Sequence, residues 1–307
     1  MFETTFCGVK FKNPIVLASG VWGVTGKNLA DAIARGAGGA TTKSLWLAPH
    51  AGHQNPVIIA DDAAMLNAVG LPDGGIEKAR AEIADFRAAT DAPLIANIVA
   101  GSPDDFSKIA EMAAELAPDI IEINISCPNV KKEFGDLFAS GEKSAELFTK
   151  IVKKKVGQIP VSVKLSPNVP NIGAVARAAE NAGADAITAI NTVGPGMRIN
   201  PELRAPILKN KFGGVSGPAI LPIAIAKVFE IYAAVKIPII ATGGICRGRD
   251  AIEMILAGGT LLGVGSAVHF RGENCFAEIA AEMREFCEKE GVKNLSEIRG
   301  AAHKKSF

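Results

Sequence analysis

The sequence predicts a (β/α)8 TIM barrel preceded by a short β-hairpin. Three observations carry that expectation. Eight apolar, strand-sized runs alternate with eight segments of helical period, the pattern of parallel strands joined by crossovers. Three of the runs open on the same apolar-residue–proline step, Ala92-Pro93, Ile159-Pro160 and Ile237-Pro238, with the proline first, where a missing N–H is least harmful to a sheet. No linker or shift of composition divides the 307 residues, 48% of them hydrophobic. The chain therefore reads as one domain, residues 1–307, with ample material for one large core. An open doubly wound sheet is the alternative. Eight uninterrupted units favour closure into a barrel of about 250 residues or more.

Phe2 to Asn13 alternates loosely around Cys7-Gly8 and reads as the hairpin. The strand runs are Pro14–Ser19, Gly38–Ser44, Pro93–Ile98, Asp119–Asn124, Pro160–Leu165, Asp185–Ile190, Pro238–Thr242 and Leu261–Gly265. The helical segments are Gly26–Arg35, Gly75–Ala88, Asp104–Leu116, Gly141–Lys154, Ile172–Ala182, Ala219–Ala234, Arg249–Ala257 and Cys275–Glu290. Several end in Gly36, Gly183 or Gly258, a residue suited to the left-handed cap. Long connections follow strands two (Leu45 to about Gly74), four (Pro128 to Ser140) and six (Thr192 to Gly217). Connections of that length in a compact domain are usually functional or disordered. All three leave the carboxyl ends of strands, the catalytic face of a barrel.

Composition excludes several classes of function. A formal net charge of +1 gives no bias toward nucleic acid or acidic lipid. No apolar run reaches membrane-spanning length, and the N-terminal MFETTFCGVKFKNP has no apolar leader core. Five cysteines, Cys7, Cys127, Cys246, Cys275 and Cys287, are widely spaced and form no Cys-x-x-Cys. That argues against a disulfide framework or zinc site and for a cytoplasmic protein with reduced thiols. Cys275 and Cys287 read as buried packing.

The chemistry gathers at strand ends. Asp119 to Val130 starts as a strand on Ile120, Ile121, Ile123 and Ile125. It stops at Pro128, with Asn124, Ser126, Cys127 and Asn129 beside it. Cys127 is the candidate acid/base or nucleophile; a lone thiol near its reference pKa of about 8.5 keeps a minority of thiolate at neutrality. Its bland alternative is a buried structural cysteine. Thr242-Gly243-Gly244 and Gly263-Val264-Gly265-Ser266 end the last two strands, a frequent phosphate site in barrels. Lys43 and Lys164 lie in apolar strand contexts, where a cation needs an anion or a route to water. They fit a ring that must hold a carboxylate or a reduced flavin, or else the Schiff-base lysine of an aldolase-type lyase. Asn67, Asn97, Asn124, Asn129 and Asn191 supply amides for a planar ligand with alternating C=O and N–H groups, although each alone is an ordinary turn residue. A phosphate-binding module without turnover is the third class of reading.

Longer motifs add a resemblance. Asn124–Val130 (NISCPNV), Met65–Leu71 (MLNAVGL), Val163–Asn168 (VKLSPN), Ile190–Thr192, Phe212–Ala219 (FGGVSGPA) and Ala241–Gly244 (ATGG) resemble, in the same order, the motifs of class 1 dihydroorotate dehydrogenases. The resemblance implies a flavin mononucleotide (FMN) barrel that oxidises dihydroorotate to orotate in pyrimidine synthesis. It implies that Cys127 is the base for the C5 proton, with the C6 hydride passing to flavin N5. It implies that Lys43, Asn67, the backbone of Val69, Gly70 and Leu71, Asn124, Asn129, Asn191 and Thr192 hold the substrate. Ala18, Ser19, Lys43, Ser44, Asn97, Asn124, Lys164, Gly217, Gly243, Gly244, Gly265 and Ser266 match flavin contacts. Asn129–Lys132 and Asn210–Pro218 look most like the type 1B catalytic subunit. That type implies a homodimer expanded by a subunit carrying FAD and a [2Fe–2S] cluster, through which electrons reach NAD. The chain itself has neither a cysteine cluster for iron–sulfur ligation nor a Gly-x-Gly-x-x-Gly turn. It departs from the type 1B pattern at Lys132–Asp136, at Gly194–Met197 and at Pro72-Asp73-Gly74.

Overall fold

The computed structural model describes residues 2–125 and 141–304. Eight parallel strands close into a barrel, in the circular order β3 (Ile15–Leu17), β4 (Gly39–Thr41), β7 (Leu94–Ile98), β8 (Ile120–Asn124), β9 (Val161–Leu165), β10 (Ala186–Ala189), β15 (Ile239–Thr242) and β16 (Leu261–Val264). Each strand pairs in parallel with the next one in sequence among these eight, as short β–α–β crossovers favour. The expected strands and helices are all present, trimmed by a few residues. Pro93, Pro160 and Pro238 stand one residue before their strands, and their carbonyls still accept ladder bonds from Ala40, Ile121 and Ile187. Among the described residues, no helix is long and apolar enough to cross a membrane.

Helix ends follow their sequence signals. Thr25, Ser102 and Asn171 side chains accept from the backbone N–H groups of Asn28, Asp105 and Ala174, satisfying donors that the first helical turn leaves free. Gly258 ends the helix Gly248–Ala257 at φ +125°, a conformation closed to most L-residues.

The hairpin β1 (Thr4–Phe6) and β2 (Val9–Phe11) turns through Cys7 and Gly8, both at positive φ, which matches the twist of a two-residue turn. It plugs the amino-terminal end of the barrel. Phe6 and Phe11 meet edge to face at 6.4 Å and pack with Val16, Ile95, Ile120, Ala186, Ile240 and Leu261, each the first or second residue of its barrel strand. Gly39 makes room for this plug, since a Cβ there would sit 2.6 Å from the Phe11 ring. Phe11 is fully buried, so we expect Phe11→Ala to destabilise the fold by about 3–5 kcal/mol, read from urea unfolding.

Above this apolar layer the barrel interior turns polar. Asn97, Glu122 and Ser162 lie in register on β7, β8 and β9, and the Ser162 hydroxyl bonds that of Thr188 on β10 at 2.8 Å. All four are buried. Asn124 and Lys164, two residues further along, form the next level. The barrel is thus filled from below by hydrocarbon and from its middle upward by groups that need polar partners.

The long second and sixth connections contain sheet that periodicity did not reveal. Strands β5 (Ile58–Ala60) and β6 (Met65–Asn67) from one join β11 (Val193–Gly196) and β14 (Gly213–Ser216) from the other, in the antiparallel order β11-β14-β6-β5. A further short pair, β12 (Ile199–Asn200) and β13 (Ala205–Pro206), lies between them in sequence. Three- and four-residue strands are too short to show a period of two, and the pairing that joins the two connections, Gly214 opposite Asn67, spans roughly 150 residues. Arg198 and Asp61 form an ion pair between the two connections.

Candidate active site

A cavity of about 380 Å³ opens at the carboxyl ends of the barrel strands, within the usual size range for a small-molecule site. Its floor is the polar upper level of the barrel, with Asn124 and Lys164 lining it. Met65, Asn67, Gly214 and Ser216 of the mouth sheet line it too, while Leu66 and Val215, pointing the opposite way, pack with Ile59, Ala68 and Leu208. The sheet therefore gives one face to the cavity and one to a small satellite core.

Most of the expected site residues come together here. Ala18, Ser19, Lys43, Ser44, Asn67, Val69, Gly70, Leu71, Asn124, Lys164, Asn191, Thr192, Gly243, Gly244, Gly265 and Ser266 all line the cavity. Two do not. Asn97 is completely buried below it, and Gly217 adjoins the lining residue Ser216, at φ +92° and tight against the Phe270 ring. Cys127 and Asn129 lie outside the described residues. Lys43 differs from the expected picture of a lysine within a strand. β4 stops at Thr41, because the Lys43 N–H turns to the carbonyl of Gly23 while those of Thr42 and Leu45 keep to Ile95 and Asn97.

The amides are held in place by neighbours. Asn67 Nδ2 donates to the Gly214 carbonyl at 3.3 Å, tying β6 to β14 at the cavity. Asn124 Nδ2 donates to Ser44 Oγ at 3.1 Å. Asn191 Oδ1 accepts the Thr192 N–H at 2.7 Å. Val69–Leu71 forms a turn in which Gly70 and Leu71 both have positive φ, at 74° and 53°. A leucine holds that conformation only when its surroundings enforce it. Here Trp46 Nε1 donates to the Leu71 carbonyl at 3.1 Å, and the His53 N–H donates to that of Val69 at 3.0 Å. Asp73 Oδ1 accepts from the N–H groups of Trp46 and Gly75, anchoring the base of the turn. Sequence reading missed Trp46 and His53 in this role, since an indole N–H and a distant carbonyl leave no local pattern.

The lining fits a flavin. Gly243 and Gly244 adopt φ of +127° and +77°, and Gly265 faces space in which an added Cβ would meet nothing nearer than Ala18 and Val21 at 3.6 Å. A Cβ on Gly243 or Gly244 would instead strike Ala224 or Leu221 at 2.7–2.8 Å, so those two glycines let the helix Leu221–Ala234 pack close, and Gly265 is the one that leaves space at the mouth. Two buried side-chain atoms, Thr242 Oγ1 in the cavity lining and Asn97 Oδ1 one level below it, have no hydrogen-bond partner among the described residues. A buried polar atom normally has one, so Thr242 Oγ1 implies a partner in the cavity and Asn97 Oδ1 a buried water. Lys164 places a cation at the floor, as a ring that becomes negative on reduction requires.

The family model for dihydroorotate dehydrogenase matches residues 1–287. The chain belongs to the dihydroorotate dehydrogenase family. Relatives named dihydroorotate dehydrogenase B (NAD(+)), catalytic subunit, agree over nearly the full length. The protein of Methanosarcina mazei is 42% identical across 97% of this chain and 94% of its own. That of Pyrococcus abyssi is 42% identical across 99% and 100%, and that of Methanothermobacter thermautotrophicus 39% identical across 99% of both. Membership of this dehydrogenase family displaces the Schiff-base lyase reading of Lys164 and Lys43, and with it the binding module without turnover.

The structure also adds residues that sequence reading did not name for a dihydroorotate dehydrogenase site. Gly20, Val21 and Trp22 from the first connection line the cavity, as do Ile58 and Ile245. Trp22 has φ +59° and stacks on Phe276 with ring centres 6.4 Å apart. Glu122 is the more consequential addition. Its carboxylate takes a 2.6 Å hydrogen bond from Asn97 Nδ2 and lies 3.9 Å from Lys164 Nζ, with its side chain only 3% exposed. In sequence it sits unremarked inside the isoleucine run.

Proposed function

We propose that this protein binds FMN and oxidises dihydroorotate to orotate in pyrimidine biosynthesis, with electrons leaving through a partner subunit that carries FAD and a [2Fe–2S] cluster. The observation that supports the reading is one cavity lined by most of the residues matched to flavin contacts and most of those matched to substrate contacts. When bound, the flavin supplies the hydride acceptor at N5. The chain's own residues do the rest. Cys127, as thiolate, removes the C5 proton of dihydroorotate as the C6 hydride leaves, so the ring loses one proton and one hydride and gains a C5–C6 double bond. Lys43, Asn67, Asn124, Asn129, Asn191, Thr192 and the turn Val69–Leu71 hold the substrate's carboxylate and the polar edge of its ring. Lys164 offsets the negative charge left by hydride transfer. The working unit is a homodimer of one-domain subunits in the cytoplasm.

The test is direct. The purified protein should be yellow, with flavin absorption that dihydroorotate bleaches without oxygen. A colourless protein that takes up no FMN sinks the reading. A second expectation concerns the thiols. Burial pushes Cys246 and Cys275 up to about 11 and Cys7 up to about 12, and it raises Cys287 as well. Only the thiolate is nucleophilic, so a raised pKa leaves these four almost unreactive near neutrality. Iodoacetamide at pH 8 should label Cys127 alone, and orotate should protect it; mass spectrometry showing faster labelling elsewhere would count against Cys127 as the base.

A further inference from the structure

We propose that Glu122 is a positioning residue that sets the effective positive charge Lys164 presents to the flavin, and so holds the flavin's reduction potential down. The inference rests on the flavin reading above and concerns a residue outside the cavity lining.

Glu122 faces the barrel interior between Asn97 on β7 and Ser162 on β9. A carboxylate this deeply buried is costly unless it is both paired and hydrogen-bonded. The bond from Asn97 Nδ2, at 2.6 Å, supplies one partner. The ammonium of Lys164 supplies the other, 3.9 Å from Oε1 and with a side chain 8% exposed. That separation is longer than the roughly 2.7–2.9 Å of a direct charge-assisted bond. The ammonium is therefore attracted from below without being locked to the carboxylate, and it still lines the cavity above. Ser162 and Thr188 satisfy each other, and Asn124, one level above, donates to Ser44.

Two consequences follow for a ring seated on Lys164. With Glu122 charged, the pair beneath the ring is close to neutral. Without that charge, the ring faces a full positive charge at low dielectric, where such differences are largest. A cation favours the electron-rich reduced ring. Removing the carboxylate's charge should thus favour reduction, and its presence keeps the reduced flavin a better donor to the next carrier. The same carboxylate fixes which way the Asn97 amide points. With Nδ2 spent on Glu122, Oδ1 is left as an acceptor with no partner among the described residues.

The experiment is the flavin midpoint potential of the holoenzyme at pH 6.5, by anaerobic dye equilibration, for wild type, Glu122→Gln and Glu122→Asp. Glu122→Gln keeps the shape and removes the charge. It should favour the reduced form about tenfold, a positive shift of ~30 mV for a two-electron couple. Glu122→Asp withdraws the carboxylate by one methylene and should shift the potential in the same direction by less. A folded, flavin-loaded Glu122→Gln protein with the wild-type potential overturns the proposal, as does a negative shift. Failure of both variants to fold also overturns it, because a purely structural carboxylate then accounts for the residue. Wild-type protein that takes up no flavin instead overturns the functional reading itself, so the two failures are distinguishable.

Discussion

Replacing Cys127 by serine should slow flavin reduction by dihydroorotate about 10²–10⁴-fold, the usual contribution of a positioned general base. Serine is nearly the same size, but its hydroxyl does not ionise near neutrality, so the C5 proton has no acceptor of matched strength. Flavin content should stay at the wild-type level, because none of the residues matched to flavin contacts is changed. Anaerobic stopped-flow mixing with dihydroorotate, following loss of the flavin band, measures the step alone. A variant that bleaches at the wild-type rate would show that another group takes the proton.

Lys164→Ala should have the second large effect, on binding and stability together. The substitution leaves the Glu122 carboxylate buried with only the Asn97 amide against it. Breaking a buried pair by deleting one partner destabilises by roughly 3–5 kcal/mol, since the remaining charge is uncompensated. The apoprotein should show this in urea unfolding, independent of any cofactor. The flavin should be lost on gel filtration, because the cation at the cavity floor is gone. Adding Glu122→Gln to Lys164→Ala should restore most of the stability and none of the flavin retention. If the double variant is as unstable as the single one, the ion pair is not the source of the loss.

Much of this protein was legible before any coordinates. The alternation of eight apolar runs with helical segments follows from the backbone's need to pair within buried strands and to return over the sheet, and it located every barrel strand. The amides and glycines at strand ends were visible because such residues are poor core. Where the reading fell short, the cause was geometric. Lys43 looked like a strand residue because local composition says nothing about Gly23 competing for its N–H. Asn97 fell at a strand end in sequence, yet the stagger of the barrel puts it one level below the cavity. The mouth sheet was invisible because its strands are very short and its central pairing, β6 with β14, joins segments more than a hundred residues apart.

From sequence alone came the barrel, its order of elements and the set of strand ends that carry polar groups. Those are local matters, decided by which side chains a buried, periodic backbone tolerates. Tertiary structure alone decided which of those groups share a cavity and what stands behind them. Glu122 shows why: a lone glutamate among isoleucines acquires meaning only when closure of the barrel brings Asn97 and Lys164 to it from the two neighbouring strands.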